Sequence, residues 1–204
     1  MALTRERILC TALDLLRRYG LGDLSMRRVA QELDVAPGAL YYHVRNKQEL
    51  LVLLAGRILS SGAADNLGEA PAEGAVVQEN ATQKAAAQET VPQDLESTRM
   101  MILVEAAAVR EALLNTQDAA EVVTLAVSIH PESIRPLARI RTLLTAAGLS
   151  PSQAGWGSLT VLYAVLGFVS AQQNRQSVLG RGPDPTDDES FAYGITAVVT
   201  GLLR

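Results

Sequence analysis

The sequence predicts an all-α protein with a small N-terminal helical module, a polar stretch and a larger helical body. Three observations predict it. Apolar residues return at helical spacing, as in Ile8, Leu9, Ala12, Leu13 and Leu16, which lie at i, i+1, i+4, i+5 and i+8. Helix starts and stops are written as capping residues, prolines and glycines. Finally, 204 residues with 48% hydrophobic and 20% charged content suffice for one or two packed cores and exclude a disordered polyelectrolyte.

The first helix runs from about Thr4 to Arg18 and stops at Gly20. Ser25 is the expected N-cap of a short second helix with Met26, Val29, Ala30 and Leu33 facing inward. Asp34 and Val35 form a tight corner, where aspartate tolerates a left-handed backbone. Pro37 opens a third helix over PGALYYHV, since proline at the first helical position loses no hydrogen bond. Asn46 and Glu49 form an N-x-x-E capping pattern for a fourth helix through Leu50, Leu51, Leu53, Leu54 and Ile58. Helices this short, with a tight turn between the middle pair, read as a helix-turn-helix module spanning 1–58.

Residues 59–97 change character, with Ala, Glu, Gln and Gly dominating, and read as a polar linker, partly disordered. A body over 98–204 follows. Its helices are expected from Leu95 to Leu114, from Asp118 to Ile129, and from the Pro131/Pro136 region to Gly148. Ser150, Pro151 and Gln153 give a capping box to a helix without charge from Ser152 to Asn174. A polar loop from Gly180 to Asp188, read as mobile, leads to a last uncharged helix from Phe191 to Leu203. These two uncharged helices exceed what one small domain covers, so they are expected to pair with a second copy through Trp156, Val161, Val165, Phe168, Ile195, Val198, Val199 and Leu202.

Charge is divided unevenly. The formal −4 separates into +3 over residues 1–57 and −7 over the remainder, which points to an anionic partner for the first part only. The one cysteine, Cys10, forms no internal bridge, suits a reducing cytoplasm and is read as a small buried helix residue. No signal peptide is apparent. Ala154 to Ala171 lacks charge, but its glycines and hydroxyls, and the absence of a balancing span, argue against a membrane.

The strings R-x-x-I-L-x-x-A-L-D-L-L, L-S-M-R-R-V-A-Q-E-L and V-A-P-G-A-L-Y-Y-H-V-R-N-K-Q-E-L-L resemble the tetracycline-repressor (TetR) family of bacterial transcriptional regulators. Weaker matches, A-L-L-N-T-Q-D-A-A-E-V-V from Ala112 and G-L-S-P-S-Q-A through L-G-F-V from Gly148, resemble the ligand-binding half of the branch nearest the tetracycline repressor itself. Residues 60–97 depart from the family, which has an amphipathic helix directly after the fourth.

The residues agree with that resemblance. Pro37, Gly38, Tyr41, Tyr42 and Arg45 share one helical face that fits a major groove, with Leu40 and Val44 opposite. Tyr41, Tyr42 and His43 can bond phosphates or bases, and Lys47 at the start of the fourth helix favours a phosphate. Arg27, by its fork and by the resemblance, is the expected reader of guanine. With Pro37, Gly38 and Ala39 in place of long polar base readers, direct readout is expected to be thin, supplemented by thymine-methyl contacts and DNA shape. Arg5, Arg17, Arg18 and Arg28 are assigned to solvated faces.

Val123 stands where the tetracycline repressors place a magnesium-binding histidine, and Glu105 and Val109 stand at the amide and aromatic positions. No metal and no cofactor are therefore expected. The expected effector pocket is lined by Met101, Val104, Glu105, Ala108, Val123, Val127, Trp156 and Tyr163, with Glu105 its notable polar group. The sequence thus reads as a cytoplasmic homodimer on a double-stranded palindromic operator, a repressor released by a small apolar effector. The alternatives are a protein- or membrane-associated module without DNA binding, and an enzyme. The enzyme reading lacks any G-x-S-x-G, H-E-x-x-H or phosphate-loop motif, and His130 beside Pro131 and Glu132 reads as a helix-entry residue.

Overall fold

Hydrogen bonds at four expected caps, Thr4, Ser25, Asn46 and Ser150, start four of the helices. In a computed structural model, which describes residues 2–64, 94–180, 182 and 184–204, the Thr4 hydroxyl accepts from the Arg7 N–H at 3.2 Å and begins α1 (Arg5–Tyr19). Ser25 does the same for Arg28 and begins α2 (Met26–Glu32). Asp34 takes the left-handed backbone, with φ of 54°, that the corner requires. Proline opens α3 (Pro37–Leu40), and Asn46 accepts from Glu49 N–H at 2.8 Å ahead of α4 (Lys47–Ala64).

The third helix is shorter than predicted. Regular helix ends at Leu40, and Tyr41 to His43 continue as a turn whose bonds tighten to i+3, with His43 N–H donating to Leu40 O at 2.9 Å. Glycine and two tyrosines are weak helix formers, and the chain must redirect toward the Asn46 cap. Cys10 also differs from expectation: it is exposed on α1, with its thiol donating to Glu6 at 3.6 Å. Partial burial and that carboxylate raise the thiol pKa, which makes it a poorer nucleophile.

The head packs around Ile8, Leu16, Val29, Leu40, Val44, Leu50 and Leu54, all fully or almost fully buried. Exposed ion pairs brace it: Arg18 to Glu32 at 2.9 Å joins α1 to α2, while Arg5 to Glu49 at 2.7 Å and Arg57 to Glu6 at 2.8 Å join α1 to α4. Solvent screens such exposed pairs, so packing dominates.

Helix α4 leaves the head and packs on α5 (Leu95–Leu114) and α6 (Ala119–Ile129), so one buried cluster is continuous from Ile8 to Val199. The linker reading falls mainly on residues 65–93, outside the described residues. A 3-10 turn at Pro131–Ser133 precedes α7 (Arg135–Ala146), and the Ser150/Gln153 capping box starts α8 (Pro151–Leu179). Long and apolar enough to cross a membrane by length and composition, α8 nonetheless packs on α5, α6, α7 and α9 (Thr186–Leu202).

Helix α9 begins five residues before the predicted Phe191. Asp187, Asp188 and Glu189 suit the positive end of a helix dipole, Asp184 accepts from the Thr186 N–H and hydroxyl, and Arg175 pairs with Asp187. The described end of the loop read as mobile is therefore tied down. Small residues also set the α8–α9 distance. A Cβ on Gly194 would meet Phe168 Cζ at 2.4 Å, and that ring meets Phe191 edge-on at 5.6 Å between centroids.

The predicted partner-facing residues divide differently between inside and outside. Val161, Val165, Ile195 and Val199 are buried within this subunit, because their faces turn toward α5 and its neighbours, while Phe168, Val198 and Leu202 are half-buried. Trp156 is 68% exposed, and Thr160, Tyr163 and Gly167 extend its stripe along α8, with Tyr193, Ala197 and Gly201 exposed on α9.

Candidate nucleic-acid interface and effector groove

Helices α2 and α3 present one outward surface. Leu40 and Val44 are wholly buried and anchor the α3 turn, which leaves Pro37, Gly38 and Tyr41 exposed and Tyr42 91% exposed, with Ala39 and His43 half-buried. Arg27 on α2 and Lys47 at the start of α4 are exposed as well. Arg5, Arg18 and Arg57 have carboxylate partners; Arg27, Arg45 and Lys47 have none among the described residues. Arg28 lies over Tyr19 at 5.0 Å and Arg18 over the same ring at 5.4 Å, so these two cations are held by the ring rather than extended.

Glu49 has a double task that the capping pattern only half revealed. Its carboxylate accepts from the Arg45 N–H at 2.7 Å, one residue before the cap, and is paired by Arg5. The negative charge nearest Lys47 along the chain is thereby compensated, and the N-terminus of α4 keeps its attraction for a phosphate.

The head is tied to the body at one further place that sequence reasoning missed. Asp118, itself left-handed with φ of 55°, accepts from the Leu21 N–H at 2.8 Å, and Arg17 donates to Thr116 at 3.5 Å. A Cβ on Gly20, whose φ is 75°, would fall 2.6 Å from Asp118 Oδ2. Gly20 is thus a close-approach residue as well as a helix stop. On the body side, Gln173 of α8 donates to Leu113 O at 3.3 Å and Thr116 O at 3.1 Å, holding the α5–α6 loop in place. The usable signal was D-A-A inside the A-L-L-N-T-Q-D-A-A-E-V-V string, read only as a helix start.

The eight predicted effector residues do not gather as expected. Val123 and Val127 are core, Val104, Trp156 and Tyr163 are exposed, and Met101, Ala108 and Glu105 are half-buried, with Glu105 paired to Arg139 at 3.1 Å. Residues at helical spacing share a face, but spacing alone does not say whether that face is core, solvent-exposed or turned to a pocket. Instead, a groove of about 600 Å³ opens between α5 and α9, lined by Leu103, Ala107, Arg110, Leu114, Phe191 and Ile195, with Glu111, Asn115, Asp188 and Thr196 as polar lining. Its volume lies in the range of roughly 300–1,000 Å³ common for small-molecule sites.

A helix-turn-helix head with unpaired cations, joined to a helical body carrying a groove, defines a DNA-binding transcriptional regulator. The family model described as bacterial regulatory proteins, tetR family, matches residues 8–54, and over 171 residues the chain is 30% identical to the tetracycline repressor protein class C of Escherichia coli, covering 84% of this chain and 67% of that protein. The chain belongs to the tetR family and is a ligand-responsive DNA-binding transcriptional regulator. Among solved structures, BioQ superposes with a TM-score of 0.73 at 30% identity over 100% of both chains. BioQ with its natural double-stranded DNA operator gives 0.70 at 30% identity over 99% of each. ActR of Streptomyces coelicolor in complex with (S)-DNPA gives 0.71 at 26% identity, covering 100% of this chain and 98% of that one.

Proposed function

We propose that the protein is a cytoplasmic, homodimeric repressor that leaves a palindromic operator when a small apolar molecule enters the α5–α9 groove. Residues 1–58 form the reader and 98–204 the effector-binding and dimerising body. The observation that carries this reading is the outward face of Arg27, Pro37, Gly38, Ala39, Tyr41, Tyr42, His43 and Lys47, whose cations have no carboxylate partner among the described residues. Lys47 and the tyrosine hydroxyls hold phosphates and fix register; Arg27 reads a base edge. The exposed Trp156–Gly167 stripe of α8, with Tyr193 and Ala197 of α9, meets the same surface of a second copy. Two readers then occupy half-sites about 34–36 Å apart.

Transmission uses the chain between groove and head. Leu114 and Asn115 line the groove, and Thr116 to Asp118 directly follow and hold Arg17 and Leu21. A ligand that moves the end of α5 moves the reader, by no more than its differential affinity for the two states. Catalysis has no place in this account: His130 is exposed beyond the groove and bonded to Glu132 at 2.8 Å.

Selection of the full-length protein against a random-sequence duplex library tests the reading. The expected result is an inverted repeat with half-sites about one helical turn apart, bound by a dimer in light scattering, with Trp156→Glu weakening dimer and complex together. No enriched sequence, or a monomer bound to a single half-site, would overturn it.

A further inference from the structure

The groove holds one charged side chain that is mostly withdrawn from water. Arg110 is 14% exposed in its side chain, and its Nη2 donates to Gln172 Oε1 at 3.0 Å and to Asp188 Oδ1 at 2.8 Å. Its guanidinium carbon lies 4.9 Å from the Phe191 ring centre. The Nε atom is buried and has no hydrogen-bond partner. In a guanidinium, Nε–H and one Nη2–H lie side by side along one edge, the edge that grips a carboxylate with two parallel bonds. Nη2 therefore carries both acceptors, Gln172 and Asp188, while the neighbouring Nε–H carries none.

The two partners of Nη2 differ in permanence. Gln172 is buried in α8, whereas Asp188 is 82% exposed in the first turn of α9, where water solvates it if it is released. Glu111, the other acid of the groove, is exposed at the rim. A ligand that fills the groove strips water from Arg110, and a dehydrated guanidinium demands an anion with satisfied geometry.

We propose that the effector is a flat, apolar monocarboxylate whose carboxylate replaces Asp188 on Arg110. It engages both Nε and Nη2 while its rings lie against Phe191, Leu103, Leu114 and Ile195. This rests on the assignment of the groove as the effector site. One anion is exchanged for another, so the buried charge stays balanced and the displaced aspartate returns to water.

Calorimetric titration of the full-length protein with 2-naphthoate and its neutral counterpart 2-naphthamide tests the proposal. The expected result is naphthoate binding about tenfold or more tighter than naphthamide. Asp188→Asn, on an exposed position, removes the internal competitor and tightens naphthoate several-fold, and by more than it tightens naphthamide. Arg110→Gln abolishes the preference, and the Asp188 variant keeps the test decisive if that protein fails to fold. Equal affinity for the two probes, no binding of either, or weaker naphthoate binding in Asp188→Asn would overturn the proposal. The selected duplex is titrated onto the same preparations. DNA binding with indifference to the probes sinks the ligand class alone; naphthoate binding without a DNA complex sinks the regulator and leaves the site standing.

Discussion

The outward cations of the reader and the cation of the groove are held in opposite ways. On the reader, Arg27 and Lys47 face outward with no carboxylate partner among the described residues; in the body, Arg110 is enclosed by Gln172, Asp188 and Phe191. The difference follows from what each waits for. DNA is a dense polyanion that brings its own charge, so exposed cations cost little in its absence and gain by counterion release in its presence. A small ligand arrives singly, and a mostly buried cation must be stabilised until then by a group from the protein that can be displaced.

The largest effect expected from breaking this comparison is on the reader. Arg27→Ala should weaken binding to the selected duplex by about 1–3 kcal/mol and relax preference at one base position, read by fluorescence anisotropy across single-base variants. Next come the residues joining the two regions. Asp118→Ala leaves the Leu21 N–H without its acceptor and should cost about 1–3 kcal/mol in thermal or denaturant unfolding. Gly20→Ala, at positive φ and facing Asp118, should cost about 1 kcal/mol or more. If either variant unfolds like the parent, the head is not held at this point.

Within the body, Gly194→Ala forces a methyl into the Phe168 ring and should destabilise by about 1–3 kcal/mol, with a change in the near-ultraviolet signal of the phenylalanine pair. Ser25→Ala should be the mildest. Loss of its bond to the Arg28 N–H removes about 1 kcal/mol from the head and leaves body packing unchanged in hydrogen exchange.

Local chemistry was the legible part of this sequence. Thr4, Ser25, Asn46 and Ser150 begin helices by bonds to residues at most four positions away, and Pro37 begins one by its fixed backbone angle, so their meaning travels with the string. The reader was legible for the same reason, because its inward Leu40 and Val44 and its outward tyrosines alternate within a few residues. Long-range relations were not. Asp118 meets Leu21 across 97 positions, and Arg110 meets Gln172 across 62, with no spacing rule to announce either. Helix α8 illustrates the limit most clearly. It is uncharged from Ser152 to Asn174, and only packing shows that Val161 and Val165 turn inward while Trp156 and Tyr163 turn out.

The contrast between the two kinds of cation is tested most directly by the salt dependence of binding to the selected duplex. Logarithmic affinity against logarithmic salt should fall steeply for the parent protein. Lys47→Ala removes one phosphate-binding cation from each reader, so its slope should be shallower by about one unit per half-site, whereas Arg110→Gln should keep the parent slope. A slope indifferent to Lys47, or one reduced by removing Arg110, would contradict the account.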